Sequence, residues 1–321
     1  MENMPVCLAF DDGYLYPFMI FAYSARLNSK KELRFIILNC GDNLSQHTID
    51  VINKITRELS IDVQYLHSDE TFEREWHHVS SVAMQRLLFF DLLQEPFVYL
   101  DVDILLEPGW DGILALNEFS PGEIVKAASD DEVSCQNQIL HNEHCKCSGI
   151  PINEAWETEH YFNSGVLVGN PDLWRMQGLN NRWRQVFFHE FDSLGLKVLD
   201  QDLLNYLLMS SASRLDISFN YLTGFQIDGA ERIICQTEPQ GNRPKVLHFV
   251  GNAKPWTWSH QSRIGHFTNI IGSLTSSIHG STSRNFVKYW MVESLFESWT
   301  RSISEGTSFL MVKYSLALKD Y

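Results

Sequence analysis

The chain is short of positive charge. Against 40 Asp and Glu it sets only 25 Lys and Arg, a formal net charge of −15. Binding nucleic acid takes clustered cations that displace condensed counterions, so this balance excludes a nucleic-acid partner. It also argues against broad attraction to anionic membranes, and an anionic substrate would need a local positive group, such as a metal, to overcome the background field. The opening Met1-Glu2-Asn3-Met4-Pro5 has no basic region, so no signal peptide is expected. The longest early uncharged stretch, residues 13–25, is too short to span a bilayer. There is no Gly-rich phosphate loop and no internal repeat. The six Cys, at positions 7, 40, 135, 145, 147 and 235, form no disulfide framework, which favours a reducing cytoplasm.

What is present is ample core material. Hydrophobic residues make up 44% of the 321 and aromatics 12%. The first hundred residues alternate strand and helix signals. Strands are expected over 6–10, 34–38, 61–66 and 98–106, and helices over 16–27, 46–59 and 81–93. Such alternation predicts βαβ units and a mostly parallel sheet. Residues 129–159 are polar and read as a long flap, the kind of loop that is often functional. A strand returns over 161–168, a helix over 200–209 and a strand over 245–250. Beyond about residue 260 a Gly/Ser/Thr-rich stretch leads to a run with Phe286, Trp290, Trp299 and Ile303 at helical spacing. It reads as a helical appendage outside the core, over 261–321. Its aromatics would dock on the domain, on a second copy in a homodimer, or weakly on a membrane face. Interleaved acids make the membrane reading the weakest.

The most informative run is Tyr99-Leu100-Asp101-Val102-Asp103. On an extended segment, side chains two apart point the same way, so Asp101 and Asp103 can grip one hard cation. Ligands of parallel sheets sit beyond the carboxyl ends of strands, where Asp11, Asp12, Asp101 and Asp103 are expected. Far downstream, His248 offers an imidazole nitrogen after an apolar strand. A mixed oxygen and nitrogen site suits Mn²⁺, with Mg²⁺ as the alternative. Three other runs accompany the acidic pair. They are Tyr161-Phe162-Asn163-Ser164-Gly165-Val166-Leu167-Val168, Asp200-Gln201-Asp202-Leu203-Leu204-Asn205, and His248-Phe249-Val250-Gly251-Asn252-Ala253-Lys254-Pro255-Trp256.

In order and spacing these runs resemble the retaining glycosyltransferases of family 8, over roughly residues 5–260. The resemblance implies a GT-A type nucleotide-sugar-binding fold, an α/β domain over 1–260, carrying the helical tail. It implies transfer of a hexose, galactose or glucose, from a UDP-sugar to a hydroxyl acceptor on a glycan or lipid-linked sugar. Surface glycan synthesis at the cytoplasmic side of a membrane is the leading setting, with glycogenin-like self-glycosylation as an alternative. By the same resemblance Asp101, Asp103 and His248 hold the metal. Ala9, Phe10, Asp11, Asp12 and Tyr14 wall the uridine pocket, and Val102 lies on the nucleotide beside Asp101. Gly251 and Lys254 touch the diphosphate, Arg86 the donor sugar and phosphate, and Asn163 and Ser164 the sugar. Asp130 reaches sugar or acceptor, Gln201 faces the anomeric carbon, and Asp202 lies near the reacting sugar.

Read from the residues alone, several of these have plainer roles. Asp200 fits the N-cap of its helix. Asp12-Gly13 is an ordinary turn signal. Arg86 would face water from an amphipathic helix. Cys135, His141, His144, Cys145 and Cys147 crowd the flap and are soft enough for Zn²⁺, but their C-x-C spacing departs from structural zinc sites, which favours a polar loop. A sugar-nucleotide binder without turnover, and a metal-dependent phosphoryl or nucleotidyl transferase, are the rival classes.

Overall fold

The computed structural model describes residues 3–72, 81–130, 161–196, 198–208, 210–227, 231–235, 243–259 and 278–304. The cluster Cys135, His141, His144, Cys145 and Cys147, with nearly all of the expected flap, lies outside the described residues.

Strand β1 (Val6–Ala9) leads into α1 (Leu15–Leu27). Then come β2 (Leu33–Cys40), α2 (Gln46–Glu58) and β3 (Ile61–Ser68). Ser45 starts α2 because its hydroxyl accepts from Thr48 N. Helix α3 (Arg86–Leu92) follows a 3-10 turn, Ser81–Gln85, so the expected continuous helix over 81–93 is tightened in its first half. Next are β4 (Phe97–Leu100), β5 (Ile104–Leu106), β6 (Val125–Ser129) and β7 (Phe162–Gly169). Three helices follow: α4 (Pro171–Met176), α5 (Leu179–Gln185) and α6 (Leu199–Leu208). The chain continues through β8 (Ala212–Arg214), β9 (Tyr221–Ile227), β10 (Glu231–Cys235), β11 (Val246–Val250) and α7 (Ile278–Ser304).

A seven-stranded sheet runs in the order β3-β2-β1-β4-β7-β6-β8. Its β3-β2, β2-β1, β1-β4 and β6-β8 pairs are parallel, and β7 is antiparallel to both neighbours. The mostly parallel sheet expected from the alternation is therefore present. Strands β1, β4 and β7 are buried on both faces, as a sheet covered on two sides requires. Val6 and Leu8 enter one core with α1; Cys7 and Ala9 enter the other, with α3 and α6. Cys7 and Cys40 are free and buried, and burial raises both thiols.

The expected single strand over 98–106 is broken. β4 belongs to the large sheet, whereas β5 joins a second sheet, in the order β10-β9-β11-β5. Asp101 N still donates to Gly165 O of β7 (2.9 Å), but Asp103 O accepts from Phe249 N of β11 (2.9 Å). The chain changes sheets within three residues, so a bend rather than a pleat sets where Asp101 and Asp103 point.

The expected C-terminal helix is present and its aromatics dock on the domain, the first of the expected surfaces, but the helix does not lie outside the core. Phe286, Tyr289, Val292, Phe296 and Trp299 of α7 are buried in the same core as α1 and β11, so this helix is core rather than appendage. Phe296 and Trp299 pack on Tyr23 (5.7 and 5.4 Å between ring centroids), which commits them to internal packing. Among the described residues, no helix is long and apolar enough to cross a membrane.

Candidate active site

The bend between the two sheets brings three acceptor side chains to one point. One oxygen each of Asp101 and Asp103 and one nitrogen of His248 lie within 4.8 Å of one another. His248 Nε2 is 3.3 Å from Asp103 Oδ1 and 3.9 Å from Asp101 Oδ2. Its other nitrogen, Nδ1, is 3.0 Å from Asn220 Oδ1. Asn220 in turn donates through Nδ2 to Asn163 Oδ1 (3.0 Å), which fixes its amide so that Oδ1 is the acceptor. The Nδ1 proton is therefore given to Asn220, and the ring is held with Nε2 turned toward the two carboxylates.

Three further observations fit a small hard cation. Asp103 Oδ1 is buried with no hydrogen-bond partner. Two carboxylate oxygens and an imidazole nitrogen suit Mn²⁺ or Mg²⁺. And Gly165 leaves the room. A Cβ there would stand 2.2 Å from His248 Cε1 and 2.8 Å from both His248 Nδ1 and Asp101 Oδ2.

Each carboxylate is held on its remaining oxygen. Asp101 Oδ1 accepts from Tyr99 OH (2.7 Å) and Arg86 Nη2 (3.0 Å). Asp103 Oδ2 accepts from Lys254 Nζ (2.8 Å). Burial raises the Asp101 carboxyl above its ordinary range, with Arg86 opposing. Burial also acts to raise Asp103, but Lys254 and His248 outweigh it and hold this carboxyl well below the usual range.

Arg86 does not face water. It is 5% exposed and lies 4.8 Å over the Tyr99 ring. Nη1 donates to Ser164 O (2.7 Å) and Ser164 Oγ (2.9 Å), while Nε lies 3.1 Å from Asp200 Oδ2. Burial alone would lower its pKa, but Asp101 and Asp200 more than offset this and raise it. Asp200, expected as an N-cap, is instead the second residue of α6, spent on Arg86 and on Ser164 Oγ (2.7 Å). The reach back to the start of α6 comes from Asp202, whose Oδ2 accepts from Val198 N (2.9 Å).

Beside the acidic pair lies an amide hub. Gln201 Nε2 donates to Asp130 Oδ2 (2.8 Å) and Tyr161 OH (3.2 Å); its Oε1 accepts from Asn163 Nδ2 (3.1 Å) and Ser164 N (3.2 Å). Asn205 bonds both the N–H and the carbonyl of Phe162 (2.9 Å each), which fixes α6 against β7. Asp130 follows a register shift in β6 and pairs its N–H with Tyr161 O (3.0 Å). Its Oδ1 is buried and has no hydrogen-bond partner. Asp202 is fully buried, with Oδ1 taking the Tyr161 hydroxyl (2.7 Å), so it stands behind the hub rather than on its open side. Asn163 is likewise saturated: Oδ1 accepts from Gly165 N (2.9 Å) as well as from Asn220.

The run after β1 splits by role. Ala9 and Phe10 are buried, and Phe10 stacks on Phe18 (4.9 Å), so Phe10 is core rather than a free aromatic face. Asp12 turns away to Ser45 N at the start of α2 (2.9 Å). Asp11 caps its own turn through Gly13 N (2.9 Å). Tyr14 is half-buried; burial first, then Asp103, Asp101 and Asp11, raise its hydroxyl pKa, which places that hydroxyl in the field of the acidic pair. Val102 is buried in the bend. Gly251 has φ +80°, a conformation that favours glycine, and opens the turn to Lys254. Sequence reasoning missed Asn220, Tyr99, the Gly165 cradle and the Arg86–Asp200 pair. Only the side-chain identities were visible; the partners of Asn220, Gly165 and Arg86 lie tens of residues away, and Tyr99, two residues from Asp101, reaches back to it only because the strand bends.

Comparison with known proteins bears on the family and the fold. The profile of the family described as "Glycosyl transferase family 8" matches residues 5–259. The chain is 24% identical over 277 residues to the lipopolysaccharide 1,2-glucosyltransferase of Escherichia coli, covering 84% of this chain and 78% of that one. It is 21% identical over 271 residues to general stress protein A of Bacillus subtilis (strain 168), covering 79% and 88%. Among solved structures, the galactosyltransferase LgtC in complex with donor and acceptor sugar analogs superposes with a TM-score of 0.59 at 20% identity, over 85% of this chain and 97% of that one. At that identity the likeness shows a shared fold, the GT-A arrangement.

Proposed function

Because the chain belongs to glycosyl transferase family 8 and is a glycosyltransferase, we propose that it moves a hexose from a UDP-sugar to a hydroxyl acceptor, with a divalent cation held by Asp101, Asp103 and His248. One observation carries this reading: three acceptor atoms from two sheets converge, and Gly165 is what lets the His248 ring and Asp101 come together there. When bound, the cation, Mn²⁺ or Mg²⁺, supplies Lewis-acid stabilisation of the charge that develops on the leaving diphosphate.

The chain's own groups do the rest. Asp11, not Asp12, is the carboxylate left to accept from the uracil N3–H, since Asp12 is committed to α2. Tyr14 is the aromatic left for the base, since Phe10 is buried. Lys254 brings a point charge to the diphosphate, and Gly251 lets the backbone approach it. Asp130 Oδ1 is an open acceptor for a sugar or acceptor hydroxyl. Gln201 holds Asp130, while Asn163, Arg86 and Asp202 position the groups around it.

The transfer is proposed to retain anomeric configuration by a same-face route. A covalent route needs a carboxylate free to attack the sugar. Gln201 is an amide, both oxygens of Asp202 are occupied behind Tyr161, and Asp130 Oδ1, the open oxygen of the hub, is assigned to a hydroxyl rather than to the anomeric carbon. The acceptor hydroxyl would enter on the side the nucleotide leaves and give its proton to the departing phosphate oxygen. Galactose and glucose are the leading sugars, and a glycan or lipid-linked sugar the leading acceptor; lipopolysaccharide glycosyltransferases are among the relatives.

The test is a panel of UDP-sugars incubated with Mn²⁺ without acceptor, read as slow release of UDP. One sugar should stand out, and Asp101→Ala or Asp103→Ala should abolish the signal. Release of UMP would indicate phosphoryl or nucleotidyl transfer instead. Tight binding with no release from any donor would indicate a binding protein.

A further inference from the structure

We propose that α7 is a positioning element of the donor site, acting through Trp290 and Glu293 on its two walls. This rests on the reading of Lys254 as the group that meets the diphosphate. The family match ends at residue 259, whereas α7 spans Ile278–Ser304, so nothing in the family assignment gives this helix a role.

The first wall is the turn that carries Lys254. Lys254 precedes a short 3-10 turn, Pro255–Thr257, and its carbonyl takes both Thr257 N (3.0 Å) and Thr257 Oγ1 (2.8 Å). The backbone of Lys254 is therefore fixed to this turn. Trp290 Nε1 donates to Pro255 O (2.8 Å) and so fixes the turn to α7. Aromatic contacts repeat the link: Trp256 on Tyr289 (5.7 Å) and Trp258 on Phe286 (5.3 Å). Phe249, the residue after His248, packs on Phe286 (5.4 Å) and Tyr289 (5.5 Å).

The second wall is the run after β1. Glu293, 4% exposed, accepts from Tyr16 OH (2.9 Å), two residues beyond Tyr14. Tyr14 meets Trp256 edge-on at 6.2 Å between ring centroids, where the two walls touch. Trp290 and Glu293 are three residues apart and share one helical face. A single rigid helix thus sets the distance between the aromatic expected to meet the base and the lysine expected to meet the phosphates.

The experiment is calorimetric titration of the full chain with uridine and, in Mn²⁺, with UDP. Trp290→Phe keeps an aromatic ring but cannot donate to Pro255. It should weaken UDP about 5-fold, the equivalent of one hydrogen bond, and leave uridine within about twofold. Glu293→Gln acts on the other wall, where the base is expected, and should weaken uridine and UDP by a similar factor with the melting temperature unchanged; it carries the test if Trp290→Phe fails to fold, and a loss that tracks a lowered melting temperature would mean general packing and overturn the proposal. Lys254→Ala is the reference. If it weakens UDP while both α7 variants bind as wild type, the helix has no positioning role and the reading of Lys254 stands. If Lys254→Ala itself binds UDP normally, that reading falls and takes this one with it. Equal loss of uridine and UDP in Trp290→Phe would reduce the contact to general packing and overturn the proposal.

Discussion

Replacing Gly165 by Ala should disable the proposed metal site while leaving the fold standing. The added Cβ would meet His248 Cε1 at 2.2 Å, and Asp101 Oδ2 and His248 Nδ1 at 2.8 Å each. Ordinary carbon contacts begin about 1 Å farther out, so the imidazole must move by roughly that distance. It cannot slide freely, because Asn220 holds Nδ1 at 3.0 Å. The ring must give up that hydrogen bond or its aim at the carboxylates. Disturbing a ligand's orientation typically costs about 10- to 100-fold in metal affinity. Overpacking of this kind costs about 1–3 kcal/mol of stability. Gly169→Ala provides the matched control. Its Cβ would strike Phe97 and Phe90 at 2.6 and 2.8 Å, in the core away from the acidic pair. Titration of Mn²⁺ by electron paramagnetic resonance, with thermal melts of both variants, separates the effects. Gly165→Ala should lose ion affinity out of proportion to its melting temperature; Gly169→Ala should lose stability and bind Mn²⁺ as wild type. Wild-type Mn²⁺ affinity in Gly165→Ala would refute the reasoning.

Three other variants test contacts elsewhere in the site and the sheet. Asn220→Ala frees the His248 ring and should lower Mn²⁺ affinity about 10-fold or more, with the fold retained by circular dichroism. Gln201→Ala removes a positioning amide but no attacking group, so donor hydrolysis should fall by about 100-fold and persist; complete loss with intact UDP binding would argue for a direct chemical role. Glu123, 7% exposed, accepts from Lys126 Nζ (2.6 Å), Ser120 N (2.6 Å) and Ser213 Oγ, and these outweigh burial to hold its carboxyl below the ordinary range. A depressed carboxyl stabilises the fold above its unfolded pKa, about 4.3, and that contribution is lost as pH falls through the lower folded value. Glu123→Gln should therefore melt lower at pH 7, with the gap closing on acidification below about pH 4; a gap that is constant with pH would contradict this.

The alternating strands and helices of the first hundred residues were legible because each is marked by its own apolar pattern and boundaries. The residues proposed to hold the ion were legible because Asp101, Asp103 and His248 carry chemistry in their identities. What surrounds them was not. The run 98–106 is apolar throughout apart from its two acids, so nothing local shows that β4 and β5 belong to different sheets. Asp200 looks like a cap because its partner Arg86 is far away in the chain. Phe10 looks like a stacking surface until Phe18 covers it. The tail aromatics looked peripheral because the surface they fill, made of α1, β11 and the Lys254 turn, exists only after folding. Periodicity reports which face of an element is apolar, not what that face meets.

The switch of sheets at Asp101–Asp103 has a mechanical consequence. An ion clasped there would act as a rivet through two slabs, resisting shear of one against the other. Anything that binds only the folded state shifts its opening equilibrium by mass action. Cation loading should therefore slow amide exchange in β4 and β11 together, far beyond the ligands themselves.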